Sequence, residues 1–251
     1  MERVSLMGLD IDAMTEEQAV AEVVDRSLND EGGWVITPNV DQLRSYRRRP
    51  ELRRYFHAAD LLLADGMPLV WASRLQGTPL PERVAGSDLI WSLSREAARR
   101  RASVYLVGGN PGSAEAAAGV LREAAPGLEV AGAHSPPMGF LEDAAERRRS
   151  ERYVAEANPD IVYVGLPLDK QVELVPRLRE RLPHAWFLGL GISFSFVCGE
   201  VRRAPDWMRS TGLEWIHRLV QEPQRLGRRY VVEGLPFMLE LFAHALRRRL
   251  V

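Results

Sequence analysis

Between Ala64 and Leu89 the chain reads ADGMPLVWASRLQGTPLPERVAGSDL, and the residues there best able to do chemistry are Asp65, Arg83 and Ser87. Asp65-Gly66 follows Leu61-Leu62-Leu63, an apolar run that predicts a buried strand. A carboxylate at a strand end can serve as a general base when the proton it takes lies within hydrogen-bond reach. Arg83 sits in a Pro/Gly-rich loop, and its guanidinium matches phosphate oxygens in pairs. Gly86-Ser87-Asp88 then opens a helix, whose N-terminus favours anions. A base beside an anion site is the chemistry of an enzyme acting on something phosphorylated. Each residue also has a plainer reading. Asp-Gly is an ordinary turn dipeptide, and Arg83 fits a surface arginine beside a helix cap.

Further candidates lie at other strand ends. Thr37-Pro38-Asn39 would aim a hydroxyl and an amide into the same cleft, or simply cap the next helix. VYLVGGNPGSA, from Val104 to Ala114, is a strand, a Gly-rich turn and a helix start, with Gly109 and Asn110 placed to meet a phosphate. It is not a GxGxxG, and no acidic residue about 20 positions on completes a dinucleotide site, which counts against a nicotinamide-dependent oxidoreductase. Lys170-Gln171 follows the strand at Ile161–Val164, and Lys170 is the one lysine among 33 basic residues. The five histidines, at 57, 134, 184, 217 and 244, show no metal-ligand spacing, and no cofactor or metal is expected. GxSxG and P-loop motifs are missing.

Positioning these residues requires alternating strands and helices. Thr15 and Gln18 form a capping box ahead of a helix in TEEQAVAEVVDRSL. Strands are expected at Trp34–Thr37, Leu61–Leu63, Val104–Val107, Val130–Ala133, Ile161–Val164 and Trp186–Leu190. Helices are expected after Thr37-Pro38-Asn39 through about Arg48, at Pro68–Gln76 and Asp88–Arg100, and from Pro111 to about Ala124. Others are expected at Asp143–Ala157 and Lys170–Arg181. This order predicts an α/β fold: a mostly parallel, Rossmann-like sheet with helices on both faces. After Gly199 the pattern changes to Arg- and Trp-rich helices at Glu214–Leu226 and Leu235–Arg249. The expected organisation is an α/β catalytic domain over 1–198 and a helical appendage over 199–251.

Composition sets the bounds. The chain has 251 residues, is 46% hydrophobic and has a net charge of −1. The charge is uneven: residues 1–200 carry a balance of −6, and residues 201–251 carry +5. A basic, apolar tail suits an interfacial segment at an anionic membrane surface, or alternatively a subdomain packed on the sheet. An apolar tail face equally suits a second copy, so a homo-oligomer is considered. The chain as a whole is not basic, which argues against nucleic acid. One cysteine, Cys198, points to a reducing compartment. The start MERVSLMGLDID does not read as a secretory leader, and no run approaches the roughly 20 apolar residues of a spanning helix.

TPNVDQ (37–42), ADGMPLVWASRL (64–75), LPERVAGSDL (80–89), LVGGNPGSAE (106–115) and RAPDWM…GLEWIHRL…EPQRLGRRY (203–230) together resemble the WecG/TagA/CpsF glycosyltransferases, glycosyltransferase family 26. The resemblance runs along nearly the whole chain. It implies an inverting, metal-independent bacterial enzyme that takes a sugar, N-acetylmannosamine-type first among them, from a UDP-sugar. The implied acceptor is a sugar on undecaprenyl diphosphate, in cell-wall or surface-polysaccharide synthesis. Asp65 would be the base, with Thr37 and Asn39 orienting substrate. Arg83 would stabilise diphosphate, and Gln171 would hold sugar or phosphate. The tail would meet the membrane and complete the site, offering Arg218, Arg225 and Arg228 to phosphate. Ser87, Gly109, Asn110 and Lys170 join the expected substrate contacts. The implied location is cytoplasmic, peripheral on the inner face of the cell membrane.

Two strings depart from the family pattern. Asp169 and Val172 replace the usual proline and glutamate around Lys170-Gln171, and Phe194-Ser195-Phe196 replaces Phe-Asp-Phe. The alternatives are therefore a UDP-glucose or UDP-uronate transferase, or a non-catalytic nucleotide-sugar-binding protein.

Overall fold

The computed structural model describes residues 2–250. Its elements, numbered along the chain, begin with strands β1 (Arg3–Leu6) and β2 (Leu9–Asp12), then helix α1 (Glu16–Ser27) and β3 (Gly33–Ile36). Next come α2 (Val40–Arg48), α3 (Pro50–Ala58), β4 (Leu61–Leu62), α4 (Met67–Gln76) and α5 (Gly86–Arg100). The second half of the body holds β5 (Ser103–Gly108), α6 (Ser113–Ala124), β6 (Glu129–His134), α7 (Ala144–Ala157), β7 (Ile161–Gly165), α8 (Leu168–Arg181) and β8 (Trp186–Gly189). Short helices α9 (Ser193–Val197) and α10 (Asp206–Ser210) lead into α11 (Glu214–Gln221), α12 (Pro223–Gly227), a π-helical stretch (Arg228–Gly234) and α13 (Leu235–Arg249).

Six strands form one parallel sheet in the order β4-β3-β8-β7-β5-β6. Every residue of β3, β7 and β8 is buried, as expected of strands covered on both faces. Two apolar clusters lie against the sheet. One takes Val20, Val24, Leu89, Leu93 and Leu121 from α1, α5 and α6. The other takes Leu43, Leu52, Leu69, Val154, Leu174 and Leu241 from α2, α3, α4, α7, α8 and α13. The expected α/β layering is therefore present, with all six expected strands and helix starts within two residues of those read from sequence. The Thr15–Gln18 capping box forms reciprocally, the Gln18 amide donating to Thr15 Oγ1 at 3.2 Å and the Thr15 amide to Gln18 Oε1 at 2.9 Å.

Three features correct the sequence reading. The first is an antiparallel hairpin of β1 and β2, turning at Met7-Gly8 with φ of 51° and 88°. It is hooked to the sheet edge by Asp12, a buried carboxylate that accepts from Arg3 Nε and the Leu62 amide, each at 2.8 Å. The hairpin thus backs the strand that carries Asp65. The second is α3, opened by Pro50 at its first turn, where the missing N–H costs nothing.

The third concerns the tail. The helix expected over Glu214–Leu226 stops at Gln221, because Pro223 disfavours helical backbone at Glu222, found at φ −132° and ψ 57°. From Pro223 the chain then stays helical to Arg249, filling the gap expected before Leu235. Phe237, Leu241 and Ala245 are buried against the body on the α4 side.

Candidate active site

The carboxyl ends of the parallel strands face a cleft of approximately 1060 Å³, roofed by the tail. Neighbouring strands β5 and β7 lead onward in opposite directions, to β6 and to β8, and ligands bind in open α/β sheets at such crevices. Thr37 and Asn39 follow β3, Asp65 follows β4, Gly109 and Asn110 follow β5, and Lys170 and Gln171 follow β7. All seven line the cleft, together with Arg83 and Ser87. From the tail, Arg218 and Arg225 line it as well. Arg228 is not on the cleft wall: its side chain is 84% exposed and pairs with Glu233 at 3.1 Å. Its neighbour Arg229 takes the wall position and pairs with Asp41 of α2 at 2.8 Å.

Asp65 stands at the foot of the cleft. Its amide donates to the Pro38 carbonyl at 2.9 Å, tying the β4 end to the β3 end. Gly66, at φ +133° and ψ 135°, turns the chain into α4 through backbone that a side chain would strain. Around the Asp65 carboxylate the protein leaves one open side, with 30% of the side chain exposed. Burial is the largest influence and raises its pKa to about 7, with the Arg83 charge opposing and Glu214 and Asp88 adding to the rise. A carboxylate so placed exchanges its proton near neutral pH, as a general base must.

Arg83 is shared among three carboxylates. Its Nη2 donates to Asp88 Oδ2 at 2.7 Å, while its Nη1 lies 3.7 Å from Glu214 Oε2 and 3.8 Å from Asp65 Oδ1. Only the Asp88 contact is a hydrogen bond. Asp88 is a hub, its Oδ1 also meeting Arg203 Nη2 at 2.7 Å and Arg209 Nη1 at 2.9 Å. Arg203 donates in addition to the Ser87 hydroxyl at 2.7 Å and the Ser87 carbonyl at 3.2 Å. Ser87 therefore holds the tail, and the α5 N-terminus is occupied by tail arginines. Asp88, Arg203, Arg209 and Glu214 were missing from the expected set. Asp88 lies in the Gly86-Ser87-Asp88 helix start, and the sequence signal for the three tail residues is the charge-rich string RAPDWMRSTGLEW.

The remaining candidates have local roles too. Asn39 caps α2, its Oδ1 accepting from the Asp41 and Gln42 amides at 3.1 Å each. Gln171 is 2% exposed and its Nε2 donates to the Leu166 carbonyl at 2.6 Å, leaving Oε1 without a partner. A side chain at Gly189 would land on that Oε1, so glycine there is what lets the amide lie against β8. Lys170 is half-buried and makes no ion pair among the described residues. Asn110 Nδ2 and Ser195 Oγ both donate to Glu200 Oε2, at 2.9 and 2.8 Å. In this way a carboxylate stands against Ser195. Arg218 lies over the Phe196 ring at 5.8 Å and 3.9 Å from Glu222, which also pairs with Arg225. Among the described residues no three His, Cys, Asp or Glu side chains are grouped to hold a metal ion.

A carboxylate that titrates near neutral pH, a shared guanidinium and a tail-borne basic wall in one cleft suit transfer from a phosphorylated donor. The model of the "Glycosyl transferase WecG/TagA/CpsF family" matches residues 4–250. The chain is 31% identical over 197 residues to the N-acetylglucosaminyldiphosphoundecaprenol N-acetyl-beta-D-mannosaminyltransferase of Bacillus spizizenii, covering 78% of this chain and 74% of that one. To the protein of the same name from Bacillus subtilis it is 32% identical over 179 residues, covering 70% and 68%.

Proposed function

The chain belongs to the glycosyl transferase WecG/TagA/CpsF family, and on that premise we propose that it moves an N-acetylmannosamine-type sugar from a UDP-sugar to the N-acetylglucosamine of a diphosphoundecaprenol-linked acceptor. The observation that carries this reading is the Asp65 carboxylate, near Arg83 at the foot of the cleft yet not hydrogen-bonded to it. The acceptor hydroxyl gives its proton to Asp65 as its oxygen bonds to the anomeric carbon. The bond from that carbon to the donor phosphate breaks on the opposite face, so the configuration inverts. UDP leaves with the electron pair, and Arg83 stabilises the charge that develops there. Thr37 and Asn39 orient the attacking sugar. Gln171 lies in the wall beside the sugar, its Nε2 tied to the Leu166 carbonyl. Ser87, Gly109, Asn110 and Lys170 border the donor, while Arg218 and Arg225 meet the acceptor diphosphate, with Arg228 at the rim.

The donor is tested by offering the purified protein a panel of UDP-sugars with a short-chain lipid diphosphate-GlcNAc acceptor. UDP release with UDP-N-acetylmannosamine that requires acceptor is the expected result. Release from UDP-glucose or a UDP-uronate alone would reassign the sugar, and nucleotide binding without release from any donor would reduce the protein to a binding module.

Residues 199–251 serve as the membrane-facing appendage in this reading. No helix among the described residues is long and apolar enough to cross a membrane. Val231, Val232, Leu239 and Leu246 are 45%, 65%, 67% and 47% exposed, on a helical run that ends in Arg247, Arg248 and Arg249. Apolar side chains with nearby arginines suit an interface with anionic lipid. The protein is then peripheral on the inner face of the cell membrane. Wild type should sediment with anionic liposomes, and a Val232→Glu, Leu239→Glu variant should stay in the supernatant. Equal sedimentation of both would remove this face from the membrane, and self-association lost in the variant would assign it to a second copy.

A further inference from the structure

The tail brings a carboxylate to the reaction centre as well as arginines. Glu214, at the start of α11, is 21% exposed and points at Arg83 and Arg203, 3.7 Å from the first and 3.8 Å from the second. Asp65, Asp88 and Glu214 thus surround Arg83, and Arg203 and Arg209 complete the group from the tail. The six side chains balance in formal charge. Within the group Arg83 is committed to Asp88 at 2.7 Å and stands nearly equidistant from Glu214 and Asp65. Were Glu214 absent, the free Nη1 would have one carboxylate left within reach, which is the base itself. A guanidinium drawn onto a carboxylate stabilises its ionised form and weakens it as a base.

We propose that Glu214 is a positioning residue: delivered by the docked tail, it holds Arg83 off Asp65, so the base is competent only when the tail is in place. The proposal rests on the transferase reading for its catalytic consequence, but not for its electrostatic one. The charged groups facing Asp65 are Arg83 from the loop before α5, Asp88 from α5, Glu214 from α11 and Arg203 from the segment before α10. Of these, Glu214 acts on Asp65 in two concordant ways. Its own negative charge favours the protonated carboxyl, and its hold on Arg83 keeps the opposing positive charge at a distance. Loss of Glu214 therefore lowers the proton affinity of Asp65 on both counts. Arg203 and Arg209 keep their Asp88 contacts in that variant, so the tail stays tied to α5.

The test is a carboxyl titration of Asp65 by NMR with carbon-labelled aspartate, using Asp65→Asn to assign the signal. It is run on the full chain as wild type, Glu214→Gln and Glu214→Asp, beside the pH profile of acceptor-dependent UDP release. In Glu214→Gln the midpoint should fall by about one unit, the acid limb of kcat/KM should move with it, and the plateau should drop. Glu214→Asp, which restores the charge, should return the midpoint most of the way. An unmoved midpoint in Glu214→Gln would overturn the proposal, whatever happens to turnover. Wild type that releases no UDP, with a midpoint that still shifts, would fault the transferase reading and leave the electrostatic inference standing.

Discussion

Asp65→Asn will fold, lose turnover on the order of 10³-fold, and become more stable than wild type above pH 7. The two effects share a cause. Burial, only partly offset by Arg83, holds the Asp65 carboxyl at about 7 rather than near 4. A raised carboxyl contributes stability that is fully present below the unfolded value, near pH 4, and is lost as pH rises through about 7. Above that pH the fold carries an ionised group it has desolvated. The whole shift would correspond to about 4 kcal/mol, and solvent on the open side of the cleft reduces this to about half. Asn ends the penalty, so melting at pH 8 should rise by roughly 6 °C, with no difference near pH 4. In wild type, kcat/KM should decline below about pH 7 as Asp65 becomes protonated. A variant with wild-type turnover would remove Asp65 from the base role. A variant less stable at pH 8 would mean the carboxylate is not held at a cost.

Asp88→Ala has the second-largest expected effect, and it acts on stability and turnover together. Asp88 is the carboxylate on which Arg83, Arg203 and Arg209 converge, at 2.7, 2.7 and 2.9 Å. Removing it leaves three guanidinium groups near one another, with only Glu214 and Asp65, at 3.7–3.8 Å, as the remaining carboxylates of the group. Breaking a partly buried network from one side should cost about 3 kcal/mol, seen as a melting point lower by roughly 9 °C. Arg83 also loses the hydrogen bond that aims it, and turnover should fall about 100-fold through lost positioning. Melting within 1–2 °C of wild type, with turnover retained, would mean that the tail is docked by other contacts. The pairs of Arg44 with Glu233 at 2.7 Å and of Arg229 with Asp41 at 2.8 Å are the ones that would then carry it.

Much of the sheet was legible in the sequence because its strands are unbroken apolar runs between turn residues. Trp34–Thr37, Ile161–Val164 and Trp186–Leu190 each lie on a buried strand. The hairpin was not legible. Its strands are four residues each, and its turn places Met7, not a usual turn residue, at positive φ. Helix α3 was hidden because only Leu52 and Phe56 of its nine residues are buried, among arginines that blur the period. Within the tail, Pro223 was the signal for the break at Glu222, whereas Gly227, Gly234 and Pro236 read as a stop that the chain passes through, staying helical to Arg249.

The strand-end candidates Thr37, Asp65, Gly109 and Gln171 were readable because strand ends of a parallel sheet share one edge. The charge cluster was not. Arg203 and Arg209 reach Ser87 and Asp88 across separations of 116 and 121 residues, which no local spacing reveals. Position decided between neighbours as well. Arg228 and Arg229 are equivalent in composition, but the π-helical turn sets Arg229 on the cleft wall and Arg228 in solvent.

The measurement that tests the central claim most directly is acceptor-dependent UDP release from UDP-N-acetylmannosamine at pH 8, by wild type and Asp65→Asn side by side. The account predicts release by wild type that requires the lipid diphosphate-GlcNAc acceptor, and release by the folded variant reduced on the order of 10³-fold. Equal release by the two proteins would contradict it.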